Sequence, residues 1–176
     1  GLPGFELQHH VSHPWLNDAH HVIMADHGSS FVVANTGLDQ VLELDTEGRV
    51  RREWSVLPEE DPWDRFDREV DYRKVLTTKP HRAHPNFVVA HDEQLWVARF
   101  AQRDLLCLDD PRRRIDVGVQ RVHDGSLLGD RVYMTTVDGH VAIGDLRAGQ
   151  LVRTHDLNAM TPTQKDLGWC RGLHVL

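Results

Sequence analysis

Thirteen of the 176 residues are histidine, and four of them stand at or just before strand-like segments. They are His21, in the pair His20-His21 ahead of Val22; His84, ahead of Pro85-Asn86-Phe87; His123, between Val122 and Asp124; and His174, ahead of Val175. Neutral imidazole is a good ligand for zinc, iron or copper, and four of them bring no charge to offset the ion. Such a set leaves coordination positions open for water or substrate, as catalysis requires. Asp18, Asn86 and Asp124 stand close in sequence to the first three. Each is a candidate to orient an imidazole through its second nitrogen; each is equally suited to a turn, where its side chain bonds nearby backbone.

Histidines this far apart can share an ion only if a repeated unit brings them to one place. Segments 22–25, 31–34, 40–45 and 50–54 read as four short strands separated by Gly, Asp and Asn turns. The same grammar returns at 87–90, 95–99, 105–109 and 114–117, and again at 126–128, 131–136, 140–145 and 150–154. Four short strands per unit is the pattern of a β-propeller blade. The expected fold class is therefore all-β: a propeller of four-stranded blades, about three blades plus the start of a fourth, in one domain over residues 1–176. In that fold the position ahead of each first strand faces the mouth of the central channel. Aligned on Ala34, Ala98 and Thr135, the preceding histidine lies 14 positions back for His20, 14 for His84 and 12 for His123. A one-residue slip flips a strand side chain to the other face, so His20 and His21 compete; His21, which directly heads the strand, is the one expected to bind. Three blades and a strand do not close a ring of four to eight. The sequence is expected to be part of a longer propeller, or copies associate to complete one.

Two connections interrupt the repeats. Residues 55–80 alternate aromatics with charges and are expected to form an ordered loop covering one face, and residues 156–170 form a shorter one. Tyr72 and Arg73 on the long loop are candidates for a general acid and an anion clamp, against the simpler reading of a loop pinned by ordinary contacts. Arg99 ends a second strand and would bind a substrate carboxylate or phosphate, unless it pairs with Asp104. Cys170 with His174 as base is a further possible nucleophile. His9, His10 and His13 precede Pro14, which opposes a helical ligand pair and leaves them on the surface; His27, His91 and His140 read as turn positions and His155 as part of a connection.

The formal charge of −7 argues against nucleic acid as a partner. No apolar run approaches the roughly 20 residues of a membrane span. Two cysteines are too few for a disulfide scaffold, and with no targeting signal visible the expectation is the reducing cytoplasm.

Residues 33–48, from Val33-Ala34-Asn35-Thr36-Gly37 to Thr46-Glu47-Gly48, resemble the NHL repeat, with Asn35, Leu38 and Gln40 where that repeat usually carries Asp, Asn and Arg. The match covers about one blade and implies the NHL and gluconolactonase-like propeller group. The chain is also similar to uncharacterised bacterial propeller proteins that carry the motifs seen here around His13-Pro14-Trp15, Ala34 to Asp39, His84 to Asn86 and Val122 to Gly125. Peptidyl-hydroxyglycine lyases, which hold zinc, and carotenoid cleavage oxygenases, which hold ferrous iron, look similar in using histidines from several blades. That analogy extends only to His21, His84, His123 and His174. It implies a metal-dependent enzyme of lyase or hydrolase type, with zinc or iron, acting on a small polar organic substrate at the channel. An iron-dependent oxygenase, and a non-catalytic ligand- or protein-binding propeller with structural histidines, remain as alternatives.

Overall fold

The computed structural model describes residue 4, residues 9–161 and residues 167–175. It is all-β, with three four-stranded antiparallel sheets, each a meander in chain order. The first sheet holds β1 (Ala19–Ala25), β2 (Ser30–Asn35), β3 (Gln40–Asp45) and β4 (Val50–Ser55). The second holds β5 (Pro85–His91), β6 (Gln94–Arg99), β7 (Asp104–Cys107) and β8 (Arg114–Asp116). The third holds β9 (Val122–Leu128), β10 (Arg131–Thr136), β11 (His140–Asp145) and β12 (Gln150–Asp156).

Period-two alternation explains the stacking. In the second sheet Val88, Leu95, Val97 and Leu106 pack with Val32, Ala34 and Val41 of the first. Their sequence neighbours Phe87, Trp96, Ala98, Leu105 and Cys107 pack with Val122, Val132, Met134 and Ala142 of the third. The middle sheet is thus apolar on both faces, which is why its strands read as continuous hydrophobic runs. Burial of Trp96, fully enclosed, is typical of anchors whose truncation costs about 3–5 kcal/mol. Gly125 permits close approach between β9 and β5: a Cβ there would stand 2.8 Å from the Phe87 ring.

The registers share one irregularity. In each sheet two residues of the first strand oppose one residue of the second: His20 and His21 face Ala34, Asn86 and Phe87 face Ala98, and His123 and Asp124 face Thr135. Such β-bulges re-aim a side chain at a strand end. Counted from the bulge, His20, Asn86 and His123 are equivalent. His84 is not at that position; it lies two residues earlier, where the first sheet has Asp18 and the third has Arg121. The equal spacing of His20 and His84 from their alanines has a local cause. The β1–β2 turn holds residues 26–29, whereas the β5–β6 turn holds only 92–93, so the first hairpin is two residues longer. Asp18 and His84 also share left-handed backbone, with φ of 48° and 57°.

The connection over residues 55–80 is ordered and lies against the first sheet and the N-terminal segment. Arg65 pairs with Asp39, Arg68 with Glu53, and Trp63 packs on Trp15. Residues 162–166 of the second connection lie outside the described residues. Among the described residues no helix is long and apolar enough to cross a membrane.

Candidate functional site

Asp39 builds the scaffold of the site. It follows a short 3-10 turn, Thr36–Leu38, in left-handed conformation, and its side chain is 1% exposed. Its carboxylate accepts from the backbone N–H of Arg82 (2.8 Å), Ala83 (3.0 Å) and His84 (2.8 Å) and from the Arg65 guanidinium (2.7 Å). These donors hold the carboxyl below its usual range against the opposing effect of burial. The consequence is positional: one buried carboxylate of the first sheet fixes the chain leading into β5, and with it His84.

At the heads of β1, β5 and β9 the imidazoles of His20, His84 and His123 meet. The His20 ring lies 4.9 Å from His84, edge to face, and 6.2 Å from His123, stacked. Proton positions are assigned from their hydrogen-bond partners. The Asn86 amide nitrogen donates to the Val122 carbonyl at 3.3 Å, so its oxygen faces His20 Nδ1 at 2.7 Å and accepts that N–H. His123 Nδ1 stands 3.1 Å from Asp124 Oδ2 and donates to it. Thr78 donates its hydroxyl proton to the Gly37 carbonyl, so its oxygen accepts from His81 Nε2 at 3.3 Å. The unprotonated His81 Nδ1 then accepts from His84 Nδ1 at 2.8 Å. In all three head-of-strand histidines Nδ1 is a ring nitrogen engaged by a neighbouring side chain.

His20 is engaged through its second nitrogen as well: Nε2 stands 3.2 Å from Asp18 Oδ1, a hydrogen bond when that nitrogen carries a proton and a possible shared seat for an ion when it does not. Two donors set at right angles on one ion, with bonds of about 2.1 Å, stand roughly 3 Å apart. Burial, reinforced by the neighbouring His20 and His81, holds His84 down to about 4, so it is neutral near pH 7. The nitrogens of His20, His84 and His123 do not converge within 4.8 Å as placed, so seating one ion requires their rings to turn.

Beside the histidines opens a cleft of about 610 Å³ lined by Lys79, His81, His84, Phe100 and Arg121. Trp169, 57% exposed, lies next to the cleft residue Phe100, its ring 5.9 Å from Phe100 and 5.6 Å from His123. Residues 167–175 are tied to the third sheet by Cys170 N–H to the Thr136 carbonyl and Gly172 N–H to Asp124.

The other sequence candidates lie elsewhere. His21, expected as the ligand, faces the second sheet: its ring packs on Phe87 at 4.8 Å and accepts the Val88 N–H at 3.4 Å. The bulge separates it from His20, which takes the place among the other imidazoles. His174 is exposed and, among the described residues, makes no contact with the other three. Arg99 is buried in a two-pronged pair with Asp104 and bonds the Val56 carbonyl. Tyr72 is buried with its hydroxyl accepting the Asp67 N–H. Arg73 pairs with Asp71 and Ser12. None of these three faces the histidines. Of the orienting candidates, Asp18 and Asn86 both adjoin His20, and Asp124 adjoins His123. His81, Phe100, Arg121 and Trp169 were missed; Arg121 alone was within reach of sequence reasoning, since it lies 14 positions before Thr135, as His84 lies 14 before Ala98.

A second group stands at the far end of the same strands. His91, Asp92 and Asp130, in the β5–β6 and β9–β10 turns, present ligand atoms within 4.8 Å of one another. Among the described residues this is the one triplet of such side chains so closely spaced. His91 Nε2 bonds Asp130 at 2.8 Å, and Arg147 reaches Asp92 at 3.5 Å and Asp130 at 3.3 Å.

No family model matches the chain, and no curated protein matches it. Solved structures do. Hydrazine synthase of Kuenenia stuttgartiensis superposes on 86% of this chain with a TM-score of 0.56 at 16% identity. The computationally designed Ika8 protein superposes on 78% with a TM-score of 0.51 at 11% identity. The chain spans 39% and 36% of those two chains. At these identities the likeness concerns the all-β arrangement of four-stranded sheets.

Proposed function

We propose that the three sheets are blades of a β-propeller. We further propose that the heads of their first strands hold a divalent transition metal, zinc or iron, in an enzyme of lyase or hydrolase type acting on a small polar organic substrate. The observation that carries this reading is a shared geometry: His20, His84 and His123, one from the head of each sheet, all engage a neighbouring side chain through Nδ1, while Nε2 of His84 and of His123 has no hydrogen-bond partner among the described residues. That is the arrangement in which metal-binding histidines are oriented by an outer acceptor. Asp18, facing His20 Nε2, supplies a carboxylate donor and one compensating negative charge.

Three imidazoles and a carboxylate suit zinc or ferrous iron and leave positions open. The bound ion would polarise a carbonyl or lower the pKa of a water. His81, partly exposed in the cleft and bonded to His84, is placed to take or return a proton. His84, neutral near pH 7, has no proton to lose when it ligates.

The test is thermal unfolding with and without zinc or ferrous iron. At a hundredfold excess over the dissociation constant, stabilisation of about 2.7 kcal/mol is expected, and none in a His20→Ala/His123→Ala variant. Unchanged melting of the unaltered protein with either ion would overturn the reading, and leave a non-catalytic binding propeller.

A further inference from the structure

The charges around the cleft point to the class of molecule it takes. The chain carries a net charge of −7, yet the charged side chains lining this cleft are the cations Lys79 and Arg121. The nearby carboxylates are engaged elsewhere: Asp39 with Arg65 and three backbone N–H groups, Asp124 with His123 and Gly172, Asp18 with His20. Neither Lys79 nor Arg121 has a carboxylate partner among the described residues.

Beneath these cations lies an aromatic floor. The Arg121 guanidinium sits 5.3 Å from the centre of the Phe100 ring, which holds its planar fork in place. Phe100 packs against His84 at 5.1 Å and against Trp169 at 5.9 Å, the two large rings inclined at 49°. Trp169 keeps more than half its surface in water, which is uncommon for so large an apolar ring unless a partner covers it.

From this we infer that the cleft binds an organic acid with a planar, unsaturated body: the carboxylate on Arg121 and Lys79, the ring or double bond laid against Phe100 and the exposed Trp169 beside it, and its far edge toward His84 and His123. The inference rests on the reading of the strand-head site as a small-molecule centre, and it deepens that reading by naming the substrate class. It does not require that the metal be bound for the acid to bind.

Benzoate is the probe, with cyclohexanecarboxylate, benzyl alcohol and benzylamine as controls. Binding is measured by calorimetry on zinc-loaded and metal-free protein, and Trp169→Phe identifies the source of any fluorescence change. Benzoate should bind at least tenfold more tightly than benzyl alcohol or benzylamine, and several-fold more tightly than cyclohexanecarboxylate. The exposed-residue variant Lys79→Ala/Arg121→Ala should lose at least tenfold in benzoate affinity while melting normally. Equal affinity for benzoate and benzyl alcohol, or undiminished benzoate affinity in that variant, overturns the inference. Benzoate binding with no zinc binding refutes the metal and leaves the acid site standing; zinc binding with no preference for benzoate does the reverse.

Discussion

The strand-head histidines and the His91, Asp92 and Asp130 group lie at opposite ends of β5 and β9 and differ in what their charges already have. At the turns, His91, Asp92 and Asp130 crowd within 4.8 Å, with Arg147 on both carboxylates. At the strand heads the imidazoles are more widely spaced: Nε2 of His20 faces Asp18, and Nε2 of His84 and of His123 has no hydrogen-bond partner among the described residues. Close spacing of donors is what a satisfied ion-pair network looks like. The strand-head site proposed above instead combines imidazoles anchored through Nδ1 with ring nitrogens that have no partner of their own. The turn cluster is also the more exposed, with Arg147 68% and Asp92 63% exposed, where such pairs contribute about 0–1 kcal/mol.

The strongest contrast between the two ends is in stability. Replacing Asp39 by Ala strips the buried acceptor from three backbone N–H groups and leaves Arg65 without its partner. A loss of about 3–5 kcal/mol is expected in urea unfolding. Asp130→Ala at the turns should cost less than about 1 kcal/mol. Comparable losses for the two would erase the distinction.

Metal affinity sharpens it further. Asn86 is no ligand, but its oxygen fixes the His20 ring. Asn86→Ala should weaken zinc roughly 10–100-fold, the usual cost of removing an orienting acceptor, while Arg147→Ala should leave it unchanged. Equal effects in a competition titration with a chelating dye would move the site to the turns.

Acid titration gives the smallest effect. Burial holds His21, His81 and His84 below the ordinary value of 6.5, His84 at about 4. The unfolded chain therefore takes up protons before the folded one. In metal-free protein, stability is full above pH 6.5 and falls as pH drops from there toward 4. His84→Gln should flatten that slope, and an unchanged slope in that variant would contradict the assignment.

The strands were legible because alternation and Gly/Asp turns mark them locally. Segments such as 40–45 and 140–145 coincide with β3 and β11. The bulges were not legible, since one extra residue leaves no mark in composition. Nor was the longer turn at 26–29, because Asp26-His27-Gly28-Ser29 reads as a turn at either length. Together they disguised the register and placed His84 beside His20 by count, when its true equivalent is Asp18. Arg99, Tyr72 and Arg73 have residue types that serve catalysis or structure equally. What decides between the two is a partner distant in sequence, such as Val56 for Arg99 or Ser12 for Arg73. His81 and Trp169 sit in connections, where no repeat predicts a position.

The central claim is that the metal sits at the strand heads. It is tested most directly by the metal content of protein purified without affinity tag or added metal, alongside His84→Ala, His123→Ala and His91→Ala. The account predicts about one equivalent of zinc or iron in the unaltered protein and in His91→Ala, and its loss in the other two. Less than about 0.2 equivalents of any transition metal in the unaltered protein, or loss only in His91→Ala, would contradict it.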